Sequence, residues 1–277
     1  MSRSGRPEAD TGAAVTSSTQ ALASAIRIGL AAYGLVHLLV AWIAVQLAWH
    51  DAGGSSADST GALRSLAGEP LGDLLLWVVA LGFVALALWQ AMEAIWGHRR
   101  HDGAARTFHR LGSAGRVVVY LALAYSAVQI LTTSGGSGGN QVDSLSSDLM
   151  QLPAGQLIVG AVGLGIVAVG GYIGYKGVSR SFVDDLEMDG TSGERGRVIV
   201  RVGQFGHLAK GVALAIVGAL FVWAALTYDP KKAGGLDAAL TELRGQSLGP
   251  WLLTIVAVGI GCYGLYCFAW ARYAKDV

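Results

Sequence analysis

Six long stretches of this chain carry almost no charge, and they leave few folds open. They cover about 28–49, 71–96, 111–131, 154–175, 202–226 and 248–271. A helix rises ~1.5 Å per residue, so about 20 apolar residues cross the roughly 30 Å hydrocarbon core of a bilayer. Lipid offers backbone groups no hydrogen-bond partner, so runs this apolar must be helical. Apolar and polar residues do not alternate, which argues against a membrane barrel. Composition agrees: 53% of the 277 residues are hydrophobic and 14% charged, against roughly 25% charged in a soluble domain. Mean hydropathy is +0.49. A net charge of +1 supplies no field to draw nucleic acid. The expected fold is all-α, a polytopic membrane protein with six transmembrane helices.

The runs form three copies of one unit. Arg27-Ile-Gly29, Arg110-Leu-Gly112 and Arg201-Val-Gly203 open the first helix of each copy. Five residues after each Arg stands Ala32, Gly115 or Gly206, followed by Tyr33, Arg116 or His207. The second helices start at Gly72, Gly155 and Gly249. Ten residues further stand Gly82, Gly165 and Gly259, and seventeen further Trp89, Tyr172 and Tyr266. Between the two helices of each copy lies a short amphipathic piece, at 61–67, 143–151 and 236–243; Leu236, Leu240 and Leu243 share one face. Two spans per unit give all three units the same orientation. They are parallel repeats, and a pseudo-threefold arrangement about the membrane normal is expected. The chain divides into a disordered tail at 1–25, repeats at 26–98, 109–180 and 200–273, and a charged linker at 181–199.

Positive charge is uneven across the membrane. The N-terminal flank, the even-numbered loops with their edges and the C-terminal end hold fifteen Lys and Arg. The odd-numbered loops hold four: Arg64, Lys231, Lys232 and Arg244. The positive-inside rule places both termini and the even loops in the cytoplasm, in a cell inner (plasma) membrane. Arg27, Arg110 and Arg201 are then interface anchors at the head-group level, where cations meet anionic lipid.

The Arg-x-Gly helix starts, the run Gly61-Ala-Leu-Arg-Ser-Leu-Ala-Gly-Glu-Pro-Leu-Gly72 and the run Leu86-Ala-Leu-Trp-Gln-Ala-Met-Glu-Ala94, shortly before Gly97-His-Arg, resemble the bacterial membrane family called domain of unknown function 1206. The resemblance covers about residues 25–275 and is closest in the first repeat. It implies three tandem two-helix repeats in one chain. The family carries no established activity, so it implies no catalytic residues.

Ionisable groups inside spans are costly, about 2.5–3.5 kcal/mol each at a helix centre, and they mark functional sites. His37, Glu93, Arg116, His207 and Lys210 form the candidate intramembrane polar cluster. Lys210 lies nine residues past Arg201, about 13 Å along the helix axis. The expected arrangement is a vestibule in which Lys210 or Arg116 pairs with Glu93 beside a titrating His37 or His207. Glu93, Lys176 and Trp270 are equivalent positions, so any site is asymmetric rather than a threefold ring.

Other constellations are weak. Cys262 and Cys267 read as small core residues. His98, His101 and His109 match no metal-binding spacing, and Asp184, Asp185, Glu187 and Asp189 read as a solvated charge run. The Gly runs lack the Lys-Ser/Thr of a phosphate loop. Gly170 and Gly174 form a small-xxx-small pair suited to close helix packing. No catalytic, cofactor or metal residues are expected. The expected partners are membrane lipids, with room for a homo-oligomer or a membrane-complex partner and none for nucleic acid. Function is expected to be that of a non-catalytic structural or accessory membrane component. The alternative is a small channel or transporter for an ion or anionic solute, working through the polar cluster.

Overall fold

Where lipid withholds hydrogen bonds, the chain forms them within its own helices. In the computed structural model, which describes residues 8–49, 56–97, 103–132, 154–229 and 236–275, all six long apolar runs are helical. The elements are α1 (Glu8–Trp49), α2 (Ser59–Ala67), α3 (Gly72–Ile95), α4 (Gly103–Thr132), α5 (Gly155–Ser179), α6 (Gly193–Thr227), α7 (Leu236–Arg244) and α8 (Gly249–Tyr273). Six of these helices, all but α2 and α7, are long and apolar enough to cross a membrane. Two short 3-10 turns, Ser181–Asp185 and Met188–Gly190, join α5 to α6. The short amphipathic helices of the first and third repeats are present as α2 and α7. The piece expected at 143–151 lies outside the described residues.

One expectation is corrected at the N-terminus. The tail expected to be disordered to residue 25 is helical from Glu8. The reason is local: Ala13, Ala14, Ala21, Ala23 and Ala25 favour helix, and neither Gly nor Pro falls between Gly12 and Gly29. A second correction concerns the charged linker. It is not merely a solvated run, because Phe182 and Leu186 are fully buried. Leu186 bridges to Ala274, and the Glu187 N–H donates to the Tyr273 carbonyl at 2.7 Å. Lys176 Nζ donates to Asp185 Oδ2, also at 2.7 Å.

The strongest helix pairs join neighbouring repeats. α3 packs on α4, α5 on α6, and α8 on α1. These three pairs are equivalent under the repeat, each joining a second helix to the first helix of the next copy. Within repeats, α1 packs on α3 and α6 on α8. The matching pair in the second repeat, α4 with α5, is not packed together among the described residues. The helices therefore follow the order α4, α3, α1, α8, α6, α5, with a seam where the threefold pattern would close.

Glycine explains both the contacts and the gap. Helices in lipid associate through close packing, and missing side chains let backbones approach. A Cβ on Gly29 would collide with the Gly82 carbonyl, and one on Gly259 would collide with Ala209. The equivalent Gly112, Gly115 and Gly165 face open space among the described residues. Burial follows the same division: 17% of the apolar stretch is buried in α4 and in α5, against 44–50% in the other four. Gly170 lies against Gly211 and Ala215 of α6, so the small-xxx-small stripe of α5 serves packing inside the chain.

The loop ends are tied down separately. Asp58 caps α2 by accepting from the Gly61 N–H at 2.7 Å, while Asp237 of α7 accepts from the Ala57 N–H at 2.6 Å. Burial pushes the Asp58 carboxyl above its usual range, against the Gly61 bond that holds it down. Trp49 closes the end of α1, donating to Thr254 Oγ1 at 3.0 Å and meeting the Trp251 ring edge-on at 4.9 Å. Such an aromatic pair suits a membrane–water interface.

The seam generates a stability contrast. Gly82→Leu should destabilise the detergent-solubilised protein by about 1–3 kcal/mol through overpacking. Gly165→Leu at the equivalent position should leave the thermal midpoint near wild type. Equal losses in the two variants would show that α4 and α5 are packed together.

Candidate functional site

α6 carries Gly203, His207, Lys210, Leu214 and Gly218 along one stripe, and the stripe faces protein. Gly203, His207 and Gly218 are buried, and Lys210 is half-buried. Lys210 Nζ donates to Tyr33 Oη at 2.7 Å and lies 3.3 Å from His37 Nε2. The ammonium also stands 3.8 Å from the centre of the Tyr263 ring and 4.8 Å from that of Tyr33. Each of its protons thus has a partner: a hydroxyl, an imidazole nitrogen and a π face. No carboxylate is among them.

The geometry fixes the tautomer of His37. Its Nδ1 lies 2.8 Å from the Tyr33 carbonyl, which can only accept. Nδ1 therefore carries hydrogen, and in a neutral ring Nε2 offers a lone pair. That lone pair faces Lys210. A doubly protonated ring would set an N–H against the ammonium, so His37 is neutral while Lys210 is charged. His207 repeats the arrangement in the third repeat, with Nδ1 2.8 Å from the Gly203 carbonyl. Its ring stacks on Phe182 at 4.6 Å and meets Tyr263 and Tyr266 edge-on at 5.1 and 4.8 Å.

Tyr33 is the hub. Its ring meets His37, Tyr120, Phe83 and Tyr263 edge-on at 4.3–6.3 Å. With Lys210, these contacts draw α1, α3, α4, α6 and α8 to one point and curve the row of helices around it. Tyr120 enters from α4 and is 3% exposed. Its contacts are rings, and its hydroxyl forms no hydrogen bond among the described residues. Arg116, one turn earlier on α4, is exposed and donates to Ser113 Oγ at 3.2 Å. It lies close enough to act electrostatically on Lys210, Tyr33 and Tyr120.

Of the expected cluster, the structure joins His37 and Lys210 directly, sets His207 one ring away, and leaves Arg116 at the α4 edge. Glu93 does not pair with Lys210. It sits near the end of α3 with its carboxylate against Gly97. Gln90, one turn deeper, is the buried polar residue of that helix, and its Oε1 has no partner among the described residues. Among the anchors, Arg27 and Arg201 are exposed. Arg110 does more than mark the interface, because Nη2 donates to the Ile95 carbonyl at 2.7 Å and so staples α4 to the end of α3.

Tyr263 and the acceptor role of Tyr33 were missed from sequence because an aromatic inside an apolar run reads as core. One signal was present. Tyr33, Arg116 and His207 occupy the same repeat position, and that position points to the centre in the first and third repeats.

The three-unit architecture has a counterpart in known proteins. A family model described as Domain of Unknown Function (DUF1206) matches three times, over residues 28–97, 111–180 and 205–274. The chain belongs to this DUF1206 family. The family's repeat boundaries bracket the same helix pairs seen in the fold, so the seam falls inside the second DUF1206 unit. The chain is also similar to "Uncharacterized protein YxxB" of Bacillus subtilis (strain 168), 29% identical over 241 residues, which are 87% of this chain and 86% of that protein. No solved structure matches the chain.

The tautomer argument can be checked by ¹⁵N NMR of the protein in lipid. The His37 ring should carry its proton on Nδ1 and leave Nε2 bare. A proton found on Nε2 would refute the bond from Lys210.

Proposed function

We propose that this DUF1206 protein is a non-catalytic protein of the cell's inner (plasma) membrane that binds and passes an anionic solute, with Lys210 as the fixed positive charge of its path. One observation carries the reading: an ammonium deep in the bundle has two neutral partners and an aromatic face, but no carboxylate. A buried charge is normally paired, because leaving water costs several kcal/mol per ion. Here the pairing anion is missing from the described chain, and a small anionic ligand supplies it. Arg116 adds a second cation near the same point, and the Tyr120 hydroxyl, without a hydrogen bond among the described residues, adds a neutral donor. A chain of fixed donors with a single strong charge suits an ion that must enter and also leave.

The uneven Lys and Arg support a topology with both termini cytoplasmic, which puts Arg27, Arg110 and Arg201 at the inner head groups. Lys210 then lies in the cytoplasmic half, about 13 Å from that surface. A reporter fused within 135–139 should score as external; a cytoplasmic score would invert the path.

A structural or accessory role competes, and it also has an observation behind it. Tyr33, His37 and Tyr263 already satisfy the ammonium in the absence of any ligand. Flux through proteoliposomes separates the two readings. Wild type should carry at least one of chloride, nitrate, acetate and phosphate, and Lys210→Ala should lower that flux by about tenfold or more, the size expected when about 1.4 kcal/mol of ion stabilisation is lost. No flux across the panel, or equal flux in the variant, would leave the structural role standing and the transport reading refuted.

A further inference from the structure

The seam in the second repeat raises the question of what reaches the Lys210 site from the side. The first and third repeats close their own helix pairs through glycine: Gly29 against Gly82, Gly206 against the Tyr263 backbone, and Gly259 against Ala209. In the second repeat the equivalent Gly112, Gly115 and Gly165 meet nothing within 4 Å among the described residues. Tyr172 shows the same contrast. It is 39% exposed, where its equivalent Tyr266 is 2% exposed and wedged between Phe182 and His207. The two helices bordering the seam are those with the least buried apolar stretches.

The two helices at the seam are also tied to the half-buried Lys210 cation. α4 carries Gly112, Gly115, exposed Arg116 and then Tyr120, whose ring lies in the Tyr33 cluster and whose hydroxyl forms no hydrogen bond among the described residues. α5 packs through Gly170 on Gly211, the residue next to Lys210. Positive charge descends from Arg110 at the basic end to Arg116 and then to Lys210, about 9 and 13 Å along their helices from the anchoring arginines. Among the described residues Arg116 donates to Ser113 and neither it nor Lys210 meets a carboxylate. Apolar walls open to lipid, with two uncompensated cations behind them, complement one kind of molecule: an apolar chain with an anionic head.

Building on the anion reading above, we infer that the α4–α5 seam is a lateral portal through which an anionic amphiphile, with a single carboxylate or phosphate head and an apolar tail, reaches Arg116 and Lys210 from the bilayer. The head exchanges its hydration for Arg116, the Tyr120 hydroxyl and Lys210. The tail stays between α4 and α5, where the missing Cβ atoms leave room.

The full chain in liposomes, photolabelled with a palmitate that carries a diazirine in its tail, tests this. Mapped label should concentrate on α4 and α5 and be displaced by unlabelled palmitate at far lower concentration than by acetate, which has the same head and no tail. Gly165→Trp fills the seam at a position where the added atoms meet open space, so it should fold with a wild-type gel-filtration profile. It should lose labelling by about tenfold, and so should Lys210→Met, which removes the charge. Label spread evenly over all lipid-facing helices, or undiminished in Gly165→Trp, would overturn the portal. Acetate flux separates the two failures: unchanged flux in Lys210→Met refutes the anion reading, whereas unchanged labelling in Gly165→Trp refutes the portal alone.

Discussion

Helices surrounded by lipid gain nothing from hiding apolar surface from lipid, so they hold together only where their backbones can come close. In this protein that closeness is written in glycine. Gly29 meets Gly82, Gly211 meets Gly170 and Gly174, and Gly218 meets Gly163, each at a separation that no Cβ would permit. These contacts set which helices pair and in what order. Where the notches are present but unmet among the described residues, at Gly112, Gly115 and Gly165, the order breaks and the seam results. The departure from threefold symmetry is thus a local packing failure within one repeat, with the other two repeats intact.

The same packing creates an electrostatic problem at the centre. Curving five helices around Tyr33 brings the Lys210 side chain inward, where water is scarce. The surrounding groups are neutral: a hydroxyl, an imidazole held as the Nδ1–H tautomer by the Tyr33 carbonyl, and the face of Tyr263. They solvate the ammonium without cancelling its charge. That separates the site from the Lys176–Asp185 pair near the basic end, where a carboxylate at 2.7 Å cancels the charge directly. A structural lysine has a use for an aspartate. A lysine without one is the ground for the anion reading proposed above.

Much of the architecture was legible in the residues, for physical reasons. Length and apolarity fix membrane helices almost alone, and the Arg-x-Gly starts with their downstream glycines define the repeat. Pairing was less legible. The repeat equates Gly82, Gly165 and Gly259, but sequence does not reveal that only two of them find a partner. The charge cluster was half legible. Lys210 and His37 stand out as costly residues in spans, whereas Glu93 drew the pairing because opposite charges attract on paper. In space Glu93 sits in the last turn of α3, and a phenol takes its place. Phe182 was hidden for a similar reason, as a lone aromatic in a charged linker that folds under His207 and Tyr266.

The account rests on an ammonium at Lys210 that has neutral partners but no carboxylate among the described residues, and that attracts an anion. The most direct measurement is the side-chain ¹⁵N resonance of Lys210 in lipid nanodiscs, recorded while nitrate or acetate is added, with Lys176 as the internal control. The Lys210 resonance should move and saturate with the anion, while Lys176, already held by Asp185, stays fixed. A Lys210 resonance indifferent to every anion, or moving only in step with Lys176, would contradict the account.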